Sequence, residues 1–279
     1  MSDLLNENSK SENSNTGDAR QPLLQISNLS VEFGKGRDKV HAVKNVSLSI
    51  PKFSTLALVG ESGSGKTTVG RTLVRLVKPA AGSIQFAGVE LNQFSDSQFL
   101  PYRKRIQIIF QDPYSSLDPR MSIRGSLNEA LALGHPNRKK EWEDLAVEKM
   151  RLVGLAPEYL GRYPHEFSGG QRQRIGIARA LCVEPEFLVC DEPVSSLDVS
   201  IQAQILNLLM DLQARLGLSY LFISHDLRVV KHIAQHVAVM QRGEIVEEAE
   251  TEKLFQDPAN EYTRTLLAAI PGRTRKSIL

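Results

Sequence analysis

Residues Leu56 to Thr68 read LALVGESGSGKTT, and the fold of the whole chain turns on how that stretch changes character along its length. Its first residues are apolar and suit a buried strand, a glycine-rich loop follows at once, and a helix is predicted to open near Lys66. Within it, Gly60-Glu61-Ser62-Gly63-Ser64-Gly65-Lys66-Thr67 fits the pattern G-x-x-x-x-G-K-[ST] of a phosphate-binding loop. The spacing has a chemical reason. Glycines permit backbone torsions that turn successive N–H groups inward around a polyphosphate. The positive end of the following helix adds to that anion site. Lys66 supplies a point charge to the outer phosphates, and Thr67, with Thr68 beside it, offers a hydroxyl to Mg²⁺. A bound nucleoside triphosphate is the expectation.

The composition around that stretch narrows the classes. A chain of 279 residues with 41% hydrophobic and 24% charged content can bury a substantial core, as one large α/β domain or two small ones. Its formal net charge of +2 argues neither for a nucleic-acid-coating protein nor for an acidic tail, and no nucleic-acid partner is expected. Cys182 and Cys190 sit in apolar stretches without C-x-x-C spacing, which suggests buried structural thiols in a reducing compartment. No apolar run reaches the roughly 18 residues of a membrane span. The start, MSDLLNENSKSENSNTGDAR, lacks the basic and apolar segments of a secretion signal, so any membrane role is expected to run through a partner. Residues 1–21 read as a disordered leader and the basic tail 271–279 as flexible.

Upstream of the loop, Leu23 to Phe33 and Val40 to Ile50 alternate apolar and polar residues, which predicts an antiparallel β-layer. Phe33 closes the first of these strands, where it can either stack on a base or end the strand as a core residue. Downstream, a helix continues through Val69 to Leu76, and short strands are expected at Ser83–Phe86 and Arg105–Phe110. Gln111 then follows at the carboxyl edge, where open α/β sheets bind ligands. From Ser122 to about Tyr163 the texture turns helical, with Trp142, Leu145, Ala146, Lys149, Met150 and Val153 forming one largely apolar stripe. Just past it, Ser168-Gly169-Gly170-Gln171 opens another anion-receptive helix.

Phe187 to Cys190 predicts a buried parallel strand ending in Asp191-Glu192. Two carboxylates there divide labour, one holding Mg²⁺ through its water shell and the other polarising an attacking water. Ser196-Leu197-Asp198 precedes a helix over Ile201–Leu216, and Tyr220–Ile223 leads to Ser224-His225-Asp226, whose histidine either touches a terminal phosphate or is structural. A hairpin around Gln241-Arg242-Gly243 and a helical region from Thr251 to Ile270, broken at Asp257-Pro258, complete the chain.

Taken together, GESGSGKTT, the Gln of IIFQDP, FSGGQRQR, FLVCDEP, SSLD and FISHD resemble the ordered motifs of ATP-binding subunits of ABC transporters, over about Leu23 to Ile270. DPYSSLDPRMSI and DPANEYTRTLLAAIP are similar to the peptide/nickel importer subfamily. The resemblance implies a P-loop NTPase of RecA-like α/β type spanning 22–270, with a mixed sheet, an N-terminal antiparallel β-layer and an inserted helical subdomain over about 112–178. It implies ATP and Mg²⁺ as ligands, Thr67, Gln111 and Asp191 at the metal, Glu192 as general base, and His225 on the γ-phosphate, with Lys66 and Gln111 also in the catalytic set. Phe33 takes the position of an adenine-stacking aromatic. Two subunits would dock head to tail, so that Ser168, Gly169, Gly170 and Gln171 of one face the ATP of the other and Asp198 signals across the pair. Two membrane permeases, a second ATPase (related or identical) and, indirectly, an extracytoplasmic solute-binding protein are the implied partners, at the cytoplasmic face of the cell membrane. Some relatives carry a cysteine cluster after this domain. The tail here has no cysteine, so no iron–sulfur centre is expected. A non-transport ABC ATPase of DNA repair or translation, and an exporter subunit, stay open as alternatives.

Overall fold

The structure is a computed structural model that describes residues 21–34, 36–112 and 116–270. The expected leader lies outside these residues except for Gln21, as do the tail and the Pro113-Tyr114-Ser115 part of the turn-rich segment. Two sheets organise the fold. Strands β1 (Leu24–Phe33), β2 (Val40–Ile50), β4 (Ala81–Phe86) and β5 (Val89–Glu90) form an antiparallel sheet in the order β2-β1-β4-β5. The second sheet has the order β10-β9-β3-β8-β7-β6. Its strands β3 (Thr55–Val59), β6 (Ile106–Ile109), β7 (Phe187–Asp191), β8 (Ser219–Ser224) and β9 (His236–Gln241) run parallel, while β10 (Glu244–Glu250) returns antiparallel as the expected hairpin.

The continuous apolar runs of the parallel strands reflect burial on both faces. Along β3, Leu56 and Leu58 point to one core, and Ala57 and Val59 to the other. The first core joins the antiparallel sheet to helix α1 (Lys66–Leu73) and to Phe99 of α2 (Asp96–Arg105). The second packs under the helices that follow β6: α3 (Ile123–Gly134), α4 (Trp142–Leu152), α5 (Gly169–Leu181) and α6 (Val199–Leu216). Burying this much apolar surface is what holds the layers together, at about 25 cal/mol per Å² removed from water. On α4, Leu145, Ala146, Lys149 and Met150 are buried, as the stripe predicts. The chain ends in α7 (Leu227–Ile233), α8 (Thr251–Gln256) and α9 (Glu261–Ala268).

Several boundaries differ from expectation. Helix α1 stops at Leu73 rather than Leu76, because Arg75 takes φ 60°, outside the helical region. Helix α6 begins two residues early, at Val199, since Asp198 caps it. Strand β6 is shorter at both ends than Arg105–Phe110, because α2 runs through Arg105 into its first residue. Both cysteines are fully buried. Desolvation pushes the Cys182 thiol up to about 12 and the Cys190 thiol higher still.

Candidate functional site

Four neighbouring parallel strands deliver their carboxyl ends to one edge, and each releases a site residue there. β3 runs into Gly60, β6 into the loop carrying Gln111, β7 ends at Asp191 with Glu192 next, and β8 is followed by His225. This is the edge where open α/β sheets place their ligands. Gly60, Gln111, Glu192 and His225 line one cleft of about 830 Å³, within the range of ligand pockets, while Asp191 is buried and not part of its lining.

The phosphate loop wraps ahead of α1 under close backbone constraint. Gly60 and Gly65 take φ 152° and 109°, and a Cβ on them would lie 2.1 Å from the Met240 carbonyl oxygen and 2.3 Å from that of Ala42. No side chain fits at either position. The Gly243 N–H, from the β9–β10 turn, donates to the Ser64 carbonyl at 2.9 Å and pins the loop to the sheet. Lys66, 4% exposed, folds back so that Nζ donates to the carbonyls of Gly60 (2.8 Å) and Glu61 (2.7 Å). Burial lowers its pKa, against the pull of the carboxylates of Glu192, Asp191 and Glu61.

Beneath the loop, the Thr67 hydroxyl donates to Asp191 Oδ1 at 2.8 Å. Burial raises the pKa of Asp191, while the bond from Thr67 and the charge of Arg71 act the other way. Glu192 takes φ 49°, a left-handed conformation uncommon outside glycine, and its N–H is held by the Ile223 carbonyl at 3.0 Å. One of its oxygens, Oε2, lies 3.2 Å from Gln111 Nε2 and 3.1 Å from His225 Nδ1. Gln111, Glu192 and His225 thus form one hydrogen-bonded cluster facing the loop.

Other predicted residues fall elsewhere. Phe33 stands at the end of β1, 44% exposed, and does not line the cleft. Ser168 caps α5 in a capping box with Gln171, and Gly169 and Gly170 form the first turn; none of the four lines the cleft. Asp198 caps α6 by accepting the Ile201 N–H at 3.0 Å, and that bond holds its pKa below the ordinary carboxylate value. Conversely, the cleft has lining the motifs did not name: Ala42 of β2, Leu227 and Arg228 of α7, and Leu266, Ala269 and Ile270 from the end of the chain. The last three fall in DPANEYTRTLLAAIP, which serves above only as a subfamily marker. Their spacing on one helical face was the available signal.

Among the described residues no three His, Cys, Asp or Glu side chains gather as a metal cluster. The oxygens of Thr67 and Asp191 are hard donors of the kind Mg²⁺ accepts when phosphates and water complete its shell.

Residues 43–195 match the ABC transporter family. The chain is 49% identical over 263 residues to a putative peptide import ATP-binding protein of Brucella ovis, covering 92% of this chain and 83% of that one. To the oligopeptide transport ATP-binding protein OppF of Streptococcus mutans it is 47% identical over 254 residues, covering 90% and 82%. Among solved structures it resembles the dimeric bacterial ABC transporter cassette MJ0796, with TM-score 0.75, 26% identity and coverage of 82% of this chain and 98% of that one. A dimeric form of the same cassette in a post-hydrolysis state, bound to ADP and Pi, gives TM-score 0.72 at 26% identity, with the same coverage. The chain belongs to the ABC transporter family. It is an ATPase of that family, and no described helix is long and apolar enough to cross a membrane.

Proposed function

We propose that this chain hydrolyses ATP to drive an ABC importer of di- or oligopeptides. The observation that carries the reading is the convergence at one cleft of the parked Lys66, of Thr67 with the buried Asp191 bonded behind it, and of the Gln111–Glu192–His225 cluster. The triphosphate of ATP would lie along residues 60–68, with Lys66 leaving the Gly60 and Glu61 carbonyls for the outer phosphates. Thr67, Asp191 and Gln111 would hold Mg²⁺, which would supply positive charge to offset that of the phosphates. Glu192 takes a proton from the attacking water as the bond between the γ-phosphorus and the bridging oxygen breaks, giving ADP and phosphate. His225 steadies the terminal phosphate, and Gln111 orients the water. Phe33 is assigned to the adenine.

Ser168, Gly169, Gly170 and Gln171 lie outside this cleft, as they would if they served the ATP of a second subunit docked head to tail. The likeness to dimeric cassettes supports that arrangement, with Asp198 at the seam. The relatives' names, peptide import and oligopeptide transport, support the importer reading. With it go, as part of this proposal, a related second ATPase, two permeases docked on the helical segment of about 112–178, and a solute-binding protein outside the membrane. The chain would sit on the cytoplasmic face of the cell membrane. Residues 22–270 form the working domain, flanked by the leader and tail.

The test uses Glu192→Gln, which keeps the cleft's shape while removing the base. Trapped with Mg-ATP in native membranes and captured by a tag, it should bring down two multi-span permeases and a second ATPase, and lose roughly 10²–10⁴-fold in turnover. Ribosomes or DNA complexes in place of membrane proteins would overturn the transport reading. Undiminished hydrolysis would overturn the role of Glu192.

A further inference from the structure

The match to the family ends at residue 195, but the wall of the cleft does not. Helix α9 returns to the phosphate loop from the far end of the chain. Tyr262 and Leu266 of α9, with Ala269 and Ile270 just past its end, recur at i, i+4, i+7 and i+8, the spacing of one helical face, and the last three line the cleft. On the adjoining side of the helix, Thr263 and Leu267 are buried.

The helix is firmly seated. Glu247 of β10 accepts the N–H groups of Ala259 (2.8 Å) and Asn260 (3.0 Å), and the Asn260 side chain caps α9 by accepting the Tyr262 N–H at 2.8 Å. From that base the Tyr262 hydroxyl accepts the Glu61 N–H at 3.2 Å. The same residue, Glu61, offers its carbonyl to Lys66 Nζ at 2.7 Å and to the Ser64 N–H at 3.2 Å. One peptide segment of the loop is therefore tied at once to α9 and to the lysine that must engage phosphate.

We propose that α9 is a wall of the nucleotide site, in which Tyr262 is a positioning residue that holds the phosphate loop in its binding shape and Ala269 lies within the field of the bound phosphates. The inference rests on the ATP reading above. A loop held in shape before the ligand arrives does not charge its ordering to the binding equilibrium. Loss of the tie should weaken affinity while leaving turnover at saturation unchanged.

The experiment is calorimetric titration of the full chain with ATP and Mg²⁺ in a Glu192→Gln background, where ATP is not consumed. Tyr262→Phe, which deletes one oxygen and keeps the ring, should weaken binding roughly fivefold. In the otherwise native chain it should raise KM and leave kcat unchanged. Its nucleotide-free melting temperature should match the parent, and its ATP-induced stabilisation should shrink; a merely structural tyrosine would do the reverse. Ala269→Glu should weaken binding and Ala269→Lys tighten it, with the difference fading as salt screens the charges. Unchanged affinity in Tyr262→Phe, or the two variants at 269 moving affinity in the same direction, overturns the proposal. Failure of the parent to bind ATP, or binding unaltered by Lys66→Ala, would instead strike the ATP reading.

Discussion

Lys66 and Asp191 carry opposite charges in the same buried place, yet burial outweighs their attraction for both, lowering the pKa of the one and raising that of the other. For Asp191 the folded pKa lies above the unfolded one, so the fold prefers the protonated carboxyl. Its cost is absent at low pH and appears as pH climbs through the unfolded and then the folded value. Asp191→Asn keeps an oxygen for Thr67 and removes the charge. At pH 7 it should melt a few degrees higher than the parent without nucleotide, and lose most of its ATPase activity. A lower melting point would contradict the sign. Lys66, Thr67, Gln111, Asp191, Glu192 and His225 were legible in the sequence because each follows an apolar strand directly or within two residues, or lies in the loop so formed. Tyr262 was not, because its partner lies 201 residues away and no local pattern announces the pairing.

Helix ends were legible where a cap stands beside an amphipathic run, as at Ser168. Helix α2 was missed for a physical reason: only Phe99 among its residues is buried, and Pro101 lies inside it. The remaining signal was the capping box of Ser95 with Gln98, which holds the first turn from both sides. Helix α7, seven residues long and capped by Asp226, is too short for periodicity to declare itself. Ser95→Ala and Ser168→Ala remove equivalent caps and should each cost about 1 kcal/mol in denaturant unfolding. Only Ser168→Ala should also depress ATPase activity, because only that cap belongs to the surface assigned to the second subunit. Equal ATPase activity in the two would detach Ser168 from the reaction.

The molecule is built outward from β3, which has a strand on each side and a core on each face. The opening stretch Leu56–Thr68 thus predicted the centre of the architecture as well as its ligand loop. The sheet order, by contrast, depends on long-range pairing, such as Leu56 with both Leu221 and His236, that no window of sequence contains. Amide hydrogen exchange should be slowest in Leu56–Val59 and its neighbours in β8, and fast in β5 at the edge of the smaller sheet. Comparable protection in β5 would contradict this hierarchy. The burial of Cys182 and Cys190 has a practical corollary: neither thiol should be accessible to maleimides in the folded chain. A cysteine introduced on the surface would then be the sole site to accept a spectroscopic label, without first stripping the native ones.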